Sequence, residues 1–137
     1  MAGAPLDAMR RVPLFAELTD SELDEVAHLF KQRHFKAGEI VAQEGSGGAA
    51  FYLIDAGEAT VTVGGLPRAG LGPGDYFGEI ALIDEGARSA TITAASDLEC
   101  YGLTYWDFRP LVMENAAICW KLLQFMVGRL RTAEARD

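Results

Sequence analysis

Apolar positions near the start of the chain repeat at helical intervals. Leu23, Val26, Ala27 and Phe30 fall on one stripe, and Thr19 stands before them with Glu22 three positions on, the spacing of a capping box. A helix is therefore expected from Thr19, with its apolar stripe laid on another part of the fold. Residues 6–11 predict a shorter helix that Pro13 ends. From Gln32 to Thr104 the texture changes to short apolar or alternating runs: 39–42, 50–55, 58–63 (with Ala59, Val61 and Val63 alternating), 89–95 and 98–104. Turn signals separate them at Ala37-Gly38, 45–48, Ala56-Gly57, Gly64-Gly65, Gly72-Pro73-Gly74 and Ser96-Asp97. Short strands at even spacing predict a mainly β fold, a sandwich or an antiparallel jelly roll, and not a parallel sheet with crossover helices. From about Tyr105 the helical period returns, and Ile118, Leu122, Phe125, Met126 and Leu130 can share a face. Pro110 removes a helical donor, so a short helix is expected around it and a longer one after Asn115. The predicted layout is one domain over residues 1–137, with helices in 5–31, the β-roll in 32–104 and C-terminal helices in 105–136.

Length and composition fit that layout. The chain has 137 residues, half of them apolar, enough for one packed core. Its net charge of −8 argues against direct nucleic-acid binding, which needs a basic face. One small anion held in a local pocket of concentrated donors remains compatible with that charge. No apolar run reaches the length of a membrane span, and no signal-peptide stretch follows a basic start. Cys100 and Cys119 lie in apolar-patterned segments and read as reduced, buried residues of a cytoplasmic protein. Neither has a neighbouring general base, so a nucleophile is not indicated. His28 and His34 are isolated and supply no metal-ligand cluster. No catalytic residue, metal or cofactor is expected. Trp120 and Phe125, at helical spacing, read as core positions of the terminal helix.

The chemistry concentrates in residues 74–91, Gly-Asp-Tyr-Phe-Gly-Glu-Ile-Ala-Leu-Ile-Asp-Glu-Gly-Ala-Arg-Ser-Ala-Thr. Gly78 permits an unusual dihedral or a close backbone approach. Residues 79–83 can form one or two helical turns whose first amides are unpaired and favour an anion. Arg88 arrives just before a strand and can donate two parallel hydrogen bonds to a phosphate. Amides and a guanidinium for phosphate, with the Glu79 carboxylate for a hydroxyl, suit a small phosphorylated sugar. Taken alone, a Glu and an Arg nine apart favour an ion pair bracing the loop.

The runs Phe77-Gly78-Glu79-Ile80-Ala81-Leu82 and Arg88-Ser89-Ala90-Thr91, after Leu71-Gly72-Pro73-Gly74-Asp75, resemble the phosphate-binding cassette of cyclic-nucleotide-binding domains. Such domains occur in catabolite-activator regulators, kinase regulatory subunits and cyclic-nucleotide-gated channels, and the resemblance runs from about Val12 to Leu130 in element order. It implies a cassette over 77–91, with Arg88 on the cyclic phosphate and Glu79 on the ribose 2′-hydroxyl. Gly78, Ile80 and Ala81 would line the cassette, and amides near Ala81 and Ala90 would help hold phosphate and ribose. Ser89 stands where family members carry Ala, Ser or Thr, a position tied to base choice, and is compatible with cAMP while still able to reach cGMP. Val61, Val63 and Leu71 are candidates for the wall around the base, and Arg129 and Thr132 for a contact from above. The implied function is a non-catalytic sensor for a cyclic nucleotide that moves its C-terminal helix, with an effector domain or a second copy docking on that helix. The settings left open are half of a transcription regulator, a channel or kinase regulatory domain, and an interaction module that has lost its ligand.

Overall fold

The computed structural model describes residues 3–45, 50–84 and 89–135. The N-terminal part is helical: α1 (Leu6–Arg10), a 3-10 turn (Pro13–Phe15) and α2 (Asp20–Ala27). The Thr19 hydroxyl accepts from the Glu22 amide at 3.2 Å, and the Glu22 carboxylate accepts from the Thr19 amide at 2.8 Å, so the capping box closes as expected.

Eight strands follow: β1 (Lys31–Phe35), β2 (Ile40–Ala42), β3 (Ala50–Ala56), β4 (Ala59–Val63), β5 (Leu66–Leu71), β6 (Tyr76–Phe77), β7 (Thr91–Ala94) and β8 (Leu98–Thr104). They form two antiparallel four-stranded sheets in the orders β1-β8-β3-β6 and β2-β7-β4-β5, the jelly roll read from the sequence. The chain returns to helix in α3 (Tyr105–Met113) and α4 (Ala116–Ala135). Pro110 sits inside α3. It leaves the Trp106 carbonyl without its helical donor, on a residue that is itself largely exposed.

Strand β3 divides the interior. Side chains alternate across a strand, so Phe51 and Leu53 enter a cluster at the helical end while Tyr52 and Ile54 enter a second cluster inside the roll. The helical-end cluster is aromatic. Phe51 meets Phe15 at 5.9 Å and Phe30 at 5.8 Å between ring centres, and Phe15 meets Phe108 at 6.4 Å. The roll cluster joins Phe35, Tyr52, Ile54, Leu98 and Cys100 to the small residues Ala42, Ala59 and Ala94.

Two sequence expectations are corrected. Of the face predicted for the terminal helix, Ile118 and Leu122 are buried, Phe125 is half-buried, and Met126 and Leu130 are exposed. Trp120 is exposed, not a core residue. Cys119 is only half-buried, whereas Cys100 is buried as expected.

Candidate ligand site

The site is set by how β6 ends. Tyr76 and Phe77 pair with Leu53 and Tyr52 of β3, and the Phe77 ring stacks on Tyr52 at 5.2 Å. The chain then turns at Gly78, whose φ of +85° is in the left-handed region that a side chain resists. That turn starts the 3-10 segment Glu79–Leu82, the helical turn expected there. Ile80 and Ala81 form its middle. Leu82 at its end is 1% exposed and belongs to the helical-end cluster with Phe108, Ile118 and Leu122. The carboxylate at one end of a single turn thus stands at the site, and the apolar anchor at the other end touches the helices.

Glu79 is half-buried and, with Leu71, Asp75 and Tyr76, lines a cavity of about 490 Å³ to which Arg11, just after α1, also contributes. The pKa of the Tyr76 phenol is raised, first by burial and then by the Glu79 charge, while Arg129 pulls it down. Glu79 and the α4 residue Arg129 therefore act on the same hydroxyl.

The base-wall candidates divide. Val61 and Leu71 pack against the roll cluster beside Phe77, and Val61 faces Ile92 across β4 and β7. Val63 is half-buried one pair further out, opposite Leu66. Ser89 is exposed and Ala90 half-buried, immediately before β7. Arg88 lies outside the described residues. Arg129 and Thr132 line a different cavity, of about 400 Å³, with Glu17 and Phe125. The Arg129 guanidinium stacks on the Phe125 ring at 5.6 Å, and the Thr132 hydroxyl donates to the Gly128 carbonyl within its own helix. The structure thus brings Leu71 and Glu79 together and leaves Arg129 and Thr132 apart from Val61 and Val63. Arg11 went unread in the sequence, because an arginine at the end of a short helix carries no signal of the turn it will face.

Among the described residues no group of histidine, cysteine or acidic side chains could hold a metal ion. His28 is bonded to the Asp24 carbonyl and His34 to Glu99. Burial pushes the Cys100 thiol up to about 11, which keeps it protonated and unreactive near neutrality. No helix among these residues is long and apolar enough to cross a membrane.

A two-sheet roll between helical ends, with a glycine-led turn placing a carboxylate at a cavity, defines a small-ligand-binding regulatory fold. The family of the cyclic nucleotide-binding domain matches residues 32–115, and the chain belongs to it. It is 34% identical over 131 residues to the cyclic AMP receptor protein of Thermus thermophilus, covering 92% of this chain and 61% of that protein. It is 39% identical over 106 residues to the cAMP-dependent protein kinase regulatory subunit of Yarrowia lipolytica, covering 76% of this chain and 28% of the relative. Among solved structures, the N-terminal domain of a transcriptional regulator from Streptomyces coelicolor superposes with a TM-score of 0.85 at 28% identity, covering 93% and 94% of the two chains. The regulatory domain of Toxoplasma gondii PKA, crystallised with cAMP, gives 0.69 at 28% identity, covering 77% of this chain and 42% of that one. The chain spans about three-fifths of the receptor protein's length and under a third of the kinase subunit's.

Proposed function

We propose that this domain binds a cyclic nucleotide, cAMP in preference to cGMP, as a non-catalytic sensor within a larger regulatory protein. The observation that carries the reading is Glu79, presented by the left-handed Gly78 to a cavity it shares with Leu71, beside the apolar wall of Val61 and Phe77. The ligand would lie along that wall. Glu79 accepts from the ribose hydroxyl, Arg88 pairs with the phosphate, and the amides of Ala81 and Ala90 complete the cradle. Ser89 is compatible with cAMP, and its hydroxyl can also reach a guanine, so base choice is for the titration to decide. The relatives named for cAMP support the choice of base.

The response follows from Leu82. Tightening of the cassette displaces a side chain of the same cluster as Phe108 and the half-buried Phe125, and a close-packed cluster passes that displacement on to α3 and to the outer part of α4. The output face is on α4 itself. Trp120, Leu123, Val127 and Leu130 are exposed at alternating spacings of three and four, the seam pattern of a two-stranded coiled coil. A second copy of the chain fits that seam.

Calorimetric titration tests the reading. Wild type should bind cAMP more tightly than cGMP. Arg88→Ala should lose about 3–5 kcal/mol, as when one partner of a buried ion pair is removed, roughly two to four decades in affinity. Equal affinity in wild type and Arg88→Ala would refute the assigned role, and no binding of either nucleotide would refute the function.

A further inference from the structure

One carboxylate serves two elements, α2 and α4. Glu22 Oε1 accepts from the Thr19 amide at 2.8 Å, closing the cap of α2, and from Lys121 Nζ of α4 at 2.7 Å. The pair is largely withdrawn from water, with 27% of the Lys121 side chain and 13% of Glu22 exposed. By contrast, Arg10–Asp20 and Lys31–Asp107 each have one partner at least three-quarters exposed. Exposed pairs hold little, while a half-buried pair resists separation because each charge would lose its partner without regaining full hydration. The Lys121 ammonium, first, and the Thr19 amide hold the Glu22 carboxyl below its ordinary range, so it stays ionised at neutral pH.

The position along α4 matters as much as the bond. Lys121 lies on the face of Ile118 and Leu122, the buried residues of α4. After Leu122, Phe125 is half-buried against the helical-end cluster, while the exposed Met126 borders a groove lined by Leu82 and Phe108. Residues 126–135 are all exposed, and the seam residues Val127 and Leu130 lie in that stretch.

We propose that the Lys121–Glu22 pair is a pin that ties residues 116–122 of α4 to the capped start of α2 in both free and ligand-bound protein, so that movement of α4 begins beyond Leu122 and not at the α3–α4 elbow around Asn115. The bound-state half of this statement rests on the cyclic-nucleotide reading above; the pin in the free protein does not. The consequence is a helix of two parts. Its first two turns move with the body, and its outer turns carry the seam and are free to reorient.

Amide hydrogen exchange on the whole chain, with and without cAMP, tests the pin, using β3 and β8 amides as the internal stability reference. Wild type should protect 116–122 equally in both states and confine cAMP-dependent change to 123–135. Lys121→Met keeps the apolar stem and removes the charge. It should raise exchange in 116–122 at least tenfold over the reference strands, while α2 stays protected because Glu22 still caps it. Glu22→Gln, which can also cap, should loosen 116–122 in the same way, and Lys121→Arg should restore protection. Unchanged exchange in both charge-removing variants overturns the pin whether or not cAMP binds. A cAMP effect in wild type that begins at 116 overturns the placement of the hinge. If cAMP does not bind, the nucleotide reading fails and the comparison of free proteins still decides the pin.

Discussion

The two apolar clusters share strand β3 and are filled in opposite ways. On its helical side, Phe51 is wholly buried among Phe15, Phe30 and Tyr76, and Leu82, Phe108 and Ile118 complete the interlock. On its roll side, the neighbours include Ala42, Ala59 and Ala94, and the wall of Val61, Leu71 and Phe77 is only half-buried. A filled cluster cannot deform gradually, so the proposed displacement at Leu82 would be felt by the side chains packed on it, Phe108 of α3 and Phe125 of α4 among them. A wall of small and half-exposed residues instead leaves a surface for something else to cover. On the proposed function, recognition and response would be separated by the thickness of one strand. The 3-10 turn from Glu79 to Leu82 joins them, with its first residue at the ligand cavity and its last in the helical cluster.

The largest test of this contrast is Phe51→Ala. Removing a fully buried ring from a cluster that cannot collapse should cost about 3–5 kcal/mol of stability, read from the midpoint of urea unfolding at constant slope. Ligand affinity of the remaining folded fraction should change little, because no part of the Phe51 ring faces the roll. A loss below about 1 kcal/mol would mean that the helical side is not the filled one.

How far this arrangement could be read in advance depended on local signals. The α2 cap was legible because the Thr19 and Glu22 side chains act on amides three positions away. Strands β3, β4, β7 and β8 were legible because one or both of their faces are apolar. Strand β1 was not singled out: only Phe35 is buried, and Lys31, Gln32, Arg33 and His34 face water with no alternation to detect. Strand β5 is exposed along nearly all its length and carries Pro67, tolerated because the strand lies at a sheet edge. Strand β6 is two residues long, too short for a period. The cassette was readable as a motif and as a turn because Gly78 and the apolar run after it are adjacent in sequence. What could not be read was the company that Glu79 keeps. Arg11 comes from the far N-terminal part of the chain, and only packing puts it at one cavity with Tyr76 and Glu79.

A second test sits on the roll side, at Cys100. Burial raises its thiol pKa from 9.0 to about 11, with Glu99 adding to the rise and Arg33 opposing it. The charged form is the thiolate, so the folded protein keeps its proton where the unfolded chain has lost it. The stabilisation is complete below pH 9 and disappears as pH rises through 11, at about 1.4 kcal/mol per unit. Over those two units the alkaline loss should be about 2–3 kcal/mol. Cys100→Ala should remove that slope and leave the part caused by other groups. Parallel pH profiles for wild type and Cys100→Ala between pH 8 and 11 would show that the roll cluster is wetter than its burial implies.

The smallest effect is the one that bears most directly on the ligand. Val61 lies on β4 opposite Ile92, half-buried and packed against the roll cluster. Truncating it to alanine removes two methyl groups from a site that already meets water, so unfolding stability should fall by no more than about 1 kcal/mol. If the base of a bound nucleotide covers this wall, the same two groups become buried in the complex, and cAMP affinity should fall about three- to tenfold. The two readouts should diverge from those of Phe51→Ala, which loses stability and keeps affinity. A Val61→Ala variant that loses stability and keeps affinity as well would place the roll wall in the ordinary core. The ligand surface would then have to be sought at the cavity of Arg11, Leu71 and Glu79 alone, where Arg11→Gln is the next substitution to titrate.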